Sequence, residues 1–359
     1  MLVAILNDTH CGCRNSSQIF MDYQEEFYRD VFFPYLEEHG IKKILHLGDY
    51  YENRTSINFK ALNHNRRIFL DVLRDRGIHM DIIAGNHDVY YKNTNKLNAL
   101  KELLGHYMSE VRIIEENTVV DYDGMPFALV PWINAENEED TYRFLSNCEA
   151  SHVGAHLELD GFEMQKGVTC TGGMSPDAFK RFEMVLSGHF HTKSQQNNIH
   201  YLGSQMEFMW SDVNDRKYFH VLDTETRELT PVHNPVTIFE KIHYDDTGKT
   251  PWAVSSPMAK DVRHLDNKFV KIIVINKSKP AIFEQFIDRV NSRKIHGLQI
   301  AENFQDFAGA QVDDDKIMFD STDDLLYNYI DAVDTDLDKG HLKSKVRNLM
   351  IEAQSLEIV

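Results

Sequence analysis

Four cysteines in 359 residues are too few for a disulfide framework, so a reducing, cytoplasmic setting is expected. No apolar run approaches the ~20 residues that a membrane-spanning helix needs. Leu2-Val3-Ala4-Ile5-Leu6 has no basic flank and is too short for a signal-peptide core; it reads as a buried strand. Internal repeats and low-complexity tracts are absent. Positive charge is scarce as well: 38 Lys and Arg stand against 56 Asp and Glu, a net charge of −18. Such a balance argues against a nucleic-acid ligand, but its distribution weakens the objection. Residues 311–338 hold ten Asp and one Lys, whereas residues 260–294 hold nine Lys and Arg against four acids. Bound divalent ions would add positive charge where a phosphodiester has to sit.

An apolar content of 42% is ordinary for a globular protein, and the length predicts more than one domain. Up to about residue 235, apolar strand-like runs at 2–7, 41–47, 78–83, 111–115, 127–131, 151–155 and 183–187 alternate with helical patterns at 21–38, 58–76, 97–107 and 137–147. This order predicts an α/β sheet covered on both faces. Hairpin-like strands follow at 199–203, 218–224 and 236–244, closing a first domain over 1–244. A loop-like stretch, 245–259, leads to a small β-α-β unit within 260–310. An acidic tail, 311–359, is read as two helices near 322–333 and 340–354. Leu325, Leu326, Tyr329, Ile330 and Val333 form an apolar stripe on the first, which predicts docking rather than a solvated hairpin.

Five short clusters stand out: Asp8-Thr9-His10, Gly48-Asp49, Gly85-Asn86-His87-Asp88, Ala155-His156 and Gly188-His189-Phe190-His191. Four follow apolar runs directly, where ligands gather at the carboxyl ends of strands. Asp, Asn and His suit divalent manganese, iron, zinc or magnesium without cysteine. A lone Asp-x-His or His-x-His is a weak signal, and Gly-Asn alone reads equally well as a turn. Their joint appearance in order points to a two-metal phosphoesterase site. The ligands divide into Asp8, His10, Asp49 and His191 around one ion and Asp49, Asn86, His156 and His189 around the other, with Asp49 shared. Spacing alone does not fix this division. His87 points away from its neighbouring ligand and is free to protonate a leaving oxygen, its ring oriented by Asp88 or Glu52. Arg14, Arg54 and Arg216 are phosphate contacts or solvated charges. Tyr51 and Phe190 read as packing residues before base-stacking platforms, Trp132 as core, and Cys11 and Cys13 as bystanders rather than soft ligands.

The set resembles the calcineurin-like metallophosphoesterases over about residues 1–235. In detail it is similar to the SbcD-type DNA repair and recombination nuclease subunits, including the phage recombination endonuclease subunits. Asp8-Thr9-His10-Cys11-Gly12-Cys13-Arg14, Val130-Pro131-Trp132 and Tyr201-Leu202-Gly203-Ser204 carry this resemblance. It implies a four-layer αββα sandwich with a small α+β capping domain facing DNA and a C-terminal helical tail docking an ATPase. It implies the ligand division above with His87 catalytic, Mn²⁺ as the preferred ion with Mg²⁺ also accepted, and a homodimer joined through early helices such as 58–76. It also implies an SbcC-type ABC/SMC ATPase partner, 3′→5′ exonuclease action on duplex ends and endonuclease action on single strands. Cys11 replaces the usual Leu. Glu52 stands where relatives tend to carry Asp or His, and Ala155 where Gly or His is common. The alternative is a metallophosphoesterase acting on a small-molecule phosphodiester or a phosphoprotein, against which the basic unit and the tail stand. A non-catalytic DNA-end-binding subunit is the third reading, and the complete ligand set argues against it.

Overall fold

The computed structural model describes residues 1–165, 167–302 and 339. Two six-stranded sheets lie face to face. The first runs, edge to edge, through Leu229–His233, Tyr218–Asp223, Leu2–Leu6, Lys43–His46, His79–Ile83 and Val111–Ile114. Its last four strands are mutually parallel. The second runs through Ser194–Gln196, Ile199–Tyr201, Met184–Gly188, His152–His156, Met125–Val130 and Thr118–Tyr122. Parallel strands covered on both faces need apolar side chains at nearly every position, and Val3-Ala4-Ile5-Leu6 is fully buried. Between the sheets, Val3, Ile5, Leu45 and Leu47 meet Phe127, Leu129, Leu186 and Leu202.

Helices cover both outer faces. Residues 18–38 and 59–76 lie on the first sheet, where Phe27, Phe32 and Phe69 pack with Phe219. The sequence predicts these as plain helices; each contains one π turn, Tyr28–Phe32 and Arg66–Leu70. Asn58 caps the second by accepting the Lys60 N–H at 2.8 Å. Glu138–Asn147 covers the second sheet, with Glu138, Glu139 and Asp140 in its first turn, where acids complement the helix dipole. The layers are thus αββα. One charged knot crosses the sheet interface. Asp81, 1% exposed, pairs with Lys43 at 2.8 Å and with Arg112 at 2.9 and 2.6 Å, and accepts the hydroxyl of Tyr122 from the second sheet at 2.8 Å.

The strand predicted at 236–244 is no hairpin partner within the first domain. Phe239–Asp245 runs parallel to Phe269–Asn276, which pairs in parallel with Gly297–Ala301. The small unit therefore starts ahead of the boundary at 244. Side-chain alternation explains the choice: Ile242 and Tyr244 join Val270, Ile272, Phe283 and Phe286 in a separate core beneath helix Pro280–Asn291. Phe239 stays with Phe20, Trp210 and Phe269, which weld the small sheet to the large domain. The helices expected at 322–333 and 340–354, with their apolar stripe, lie outside the described residues. No helix among the described residues is long and apolar enough to cross a membrane.

Candidate metal centre

At the carboxyl ends of the central strands the chain turns sharply. Asp8, His10, Asp49 and His189 all adopt positive φ, at 48°, 45°, 54° and 89°. Non-glycine residues hold this region only where their surroundings over-determine it. The turns are made close by glycine: a Cβ on Gly85 would lie 2.2 Å from Asp49 Oδ1, and one on Gly48 2.7 Å from His156 Nδ1.

Three groups of donors result among the described residues: Asp8, His10 and His191; Asp49, His156 and His189; and His10, Glu52 and His87. The first two gather the side chains expected to be ligands. In the first, the Nε2 atoms of His10 and His191 approach to 3.1 Å, and Asp8 Oδ1 lies 4.0 Å from His10 Nε2. In the second, Asn86 Oδ1 lies 3.0 Å from His156 Nε2 and 2.9 Å from His189 Nδ1. Asp49 stands between them, its Oδ2 at 3.3 Å from His156 Nε2 and 4.0 Å from His10 Nε2. The other oxygen, Oδ1, accepts the main-chain N–H of His87 at 2.8 Å. All seven side chains read from the sequence as ligands meet here.

The donor set fits cations. His156 Nδ1 donates to the Leu47 carbonyl at 2.7 Å, which leaves an Nε2 lone pair facing Asp49 and Asn86. Electrostatics agree. Burial opposes charge on His10, yet Glu52, Asp49 and Asp8 push the ring up to about 9; burial likewise opposes charge on His156, yet Asp49 pushes it up to about 9. The pocket therefore calls for positive charge at both groups. Burial also works against the Asp49 carboxylate, but His156 beside it holds it well below the usual range.

His87 stands beside the ligands, half-buried, its ring 5.0 Å from that of His10. Neither carboxylate expected to orient it does so. Asp88 is fully buried and spends its oxygens on the N–H groups of Tyr50, Tyr51 and Gly85. Glu52 places Oε2 2.7 Å from His10 Nδ1 instead. It is the Glu52 main-chain carbonyl that takes the His87 Nδ1 proton, at 2.6 Å. The longer Glu side chain thus serves a ligand while its backbone serves His87.

Arg14 lines the cleft but donates from Nε and Nη2 to the Phe208 carbonyl at 3.0 and 2.6 Å, so it is committed inside the protein. Arg54 lines the same cleft of about 1340 Å³ and makes no ion pair or hydrogen bond among the described residues. Tyr51 and Phe190 are buried packing residues. Trp132 is only partly buried, its ring 5.9 Å from that of His156 and 5.4 Å from that of His189. Cys11 and Cys13 are buried outside both groups, and burial pushes the Cys11 thiol up to about 12.

Several supporting residues carry no signal in the sequence. Asn7 donates to Asp8 Oδ2 at 2.6 Å and to the Gly203 carbonyl at 2.8 Å. Phe208 sets its ring against His10 and His191. Lys217, 3% exposed, pairs with Asp212 at 2.7 Å and donates to the His191 carbonyl at 3.0 Å.

Residues 1–193 match the calcineurin-like phosphoesterase family. The chain belongs to this family. It is 30% identical over 356 residues, 98% of this chain and 99% of the other, to exonuclease subunit 1 of Enterobacteria phage T4. It is 25% identical over 177 residues to the SbcD subunit of the nuclease SbcCD from Staphylococcus epidermidis, covering 41% of this chain and 46% of that one. The motif resemblance to SbcD-type subunits thus holds, and over nearly the whole length for the phage member. As a calcineurin-like phosphoesterase, the chain has a fold that implies divalent metal ions, and the two donor groups are where this chain would hold them.

Proposed function

We propose that the chain is the nuclease subunit of a DNA-processing complex, hydrolysing phosphodiester bonds with two Mn²⁺ ions in recombination and double-strand-break processing. The convergence of seven side chains in two groups about Asp49 is the observation that carries this reading. Asp8, His10, His191 and Asp49 would hold one ion, and Asp49, Asn86, His156 and His189 the other. When bound, the ions neutralise charge on a phosphate and acidify a water. The protein's own contribution is positional. His87, with Nδ1 committed to the Glu52 carbonyl, presents Nε2 and gives a proton to the departing 3′ oxygen. Arg54 at the cleft wall meets a neighbouring phosphate. Since these groups address phosphate, base sequence matters little. The exonuclease runs 3′→5′ on duplex ends, and single strands are cut endonucleolytically.

The relatives' names describe subunits, which supports a partner chain; the partner proposed is an ABC/SMC-type ATPase, and the chain itself is proposed to pair as a homodimer. Phe59, 85% exposed, opens the helix on which the dimer contact is expected. The test is degradation of end-labelled linear DNA with Mn²⁺ by wild type and His87→Asn, with and without the ATPase, beside hydrolysis of bis-p-nitrophenyl phosphate. Hydrolysis of the ester with no cleavage of DNA under any condition would replace this reading with the small-molecule alternative.

A further inference from the structure

The aromatic side chains lining the cleft differ in exposure. Tyr51, Phe190 and Phe208 are all at most 5% exposed, whereas Tyr90 and Tyr91, three and four residues beyond His87, are 41% and 52% exposed. Their rings meet edge to face, with centroids 4.7 Å apart at 73°. That arrangement covers one face of one ring, and both side chains keep part of their surface in solvent. Tyr90 lines the cleft with His10, Asp49 and His87.

The rings are not on a loose loop. Val89 bridges Asn98, the Tyr90 N–H donates to the Leu97 carbonyl at 2.9 Å, and the Ala99 N–H donates to the Asp88 carbonyl at 2.7 Å. Asn95 Nδ2 ties the tip to the Trp132 carbonyl at 2.7 Å. Residues 88–99 are therefore anchored at the base and the tip, and the same segment carries Asp88, which fixes the turns at Gly85 and Tyr50. Lys92, exposed and without an ion-pair partner among the described residues, follows the tyrosines directly. Open aromatic faces with an adjacent free cation, beside a phosphate-directed site, are the composition that binds single-stranded nucleic acid: bases stack while the cation follows the backbone.

We propose that Tyr90 and Tyr91 form a nucleobase-stacking platform that holds unpaired bases next to the phosphate addressed by His87. The inference rests on the nuclease reading and specifies the substrate for it: a strand with bases free to leave the helix, so that duplex ends are engaged after fraying. Stacking accepts every base, because each has an aromatic face, and so adds affinity without sequence preference.

The experiment compares full-length wild type, Tyr90→Leu/Tyr91→Leu and Tyr90→Phe/Tyr91→Phe with Mn²⁺ on two oligomers of equal length. One is ordinary single-stranded DNA; the other carries base-free tetrahydrofuran nucleotides throughout. On ordinary DNA the Leu variant should show a KM raised about tenfold with kcat little changed, and the Phe variant should behave as wild type. On the base-free oligomer the three proteins should be equal, each resembling the Leu variant on DNA. Equal KM values for wild type and the Leu variant on ordinary DNA would overturn the platform while leaving the nuclease reading intact. An equal loss on both oligomers would also overturn it, as would a shift of the Leu variant from dimer to monomer in sedimentation, which would make the pair a contact between copies. Wild type that cleaves neither oligomer but hydrolyses bis-p-nitrophenyl phosphate would refute the nuclease reading itself.

Discussion

Glu52 places its carboxylate 2.7 Å from Nδ1 of His10, so the residue that completes the environment of one ligand comes from the loop following Asp49. A carboxylate behind an imidazole fixes its tautomer and raises its basicity. Glu52→Gln should therefore weaken the cation beside His10 by about 10- to 100-fold, with the cation beside His156 much less affected. Calorimetric titration of Mn²⁺ into the metal-free protein resolves the two events. Unchanged affinity at both would show that Glu52 does not support His10.

The same variant separates side chain from backbone at position 52. The His87 ring is held by the Glu52 carbonyl, which Gln retains. Cleavage by Glu52→Gln should thus recover as Mn²⁺ is raised. A kcat that stays low at saturating metal would mean that the carboxylate acts on the reaction directly.

His87→Asn should bind both cations as wild type does and lose about 10²- to 10⁴-fold in kcat. Loss of cation binding in parallel would make His87 a ligand instead of a proton donor.

Gly85→Ala should lose cation binding at both groups. Its Cβ would sit 2.2 Å from the Asp49 carboxylate and displace it. Manganese affinity within a few fold of wild type would show that the turn can give way.

The charged knot at Asp81 predicts a pH dependence of stability. Burial opposes its charge, but Arg112, Lys43 and Tyr122 hold the folded-state pKa below the ordinary carboxylate value. A depressed folded pKa gives stability that is present above the unfolded pKa, about 3.9, and is lost as pH falls through the folded one. Asp81→Asn should cost about 2 kcal/mol near neutral pH. The difference from wild type should shrink below about pH 4 in urea titrations. A constant difference across this range would assign the loss to packing alone.

The candidate ligands were legible in the sequence because four of their five clusters directly follow an apolar run, and local context tells that they lie at strand ends. Asp8, Asp49 and His189 needed no knowledge of the partner strands. The supporting set was not legible, for three physical reasons. The carbonyl of Glu52 belongs to the backbone, which every residue has, so no residue type marks it. Phe208 and Lys217 carry no ligand chemistry and act only because the second sheet brings residues 191–217 back to His10. The strand Phe239–Asp245 has a pattern that would suit either sheet, and its partner is settled by which core takes Ile242 and Tyr244. Tyr90 and Tyr91 carry no signal in the sequence, because nothing local tells that a loop aromatic such as Tyr90 borders a cleft.

Asp49 divides its labour between two atoms. Oδ1 is spent on the backbone of His87, so Oδ2 alone is left to face both donor groups. On the proposed roles, substitution at position 49 would confound two losses, the common anchor of the ions and the seat of the proton donor. A clean inactive control is better made at His191 or Asn86, each of which belongs to one group and leaves the seat of His87 untouched.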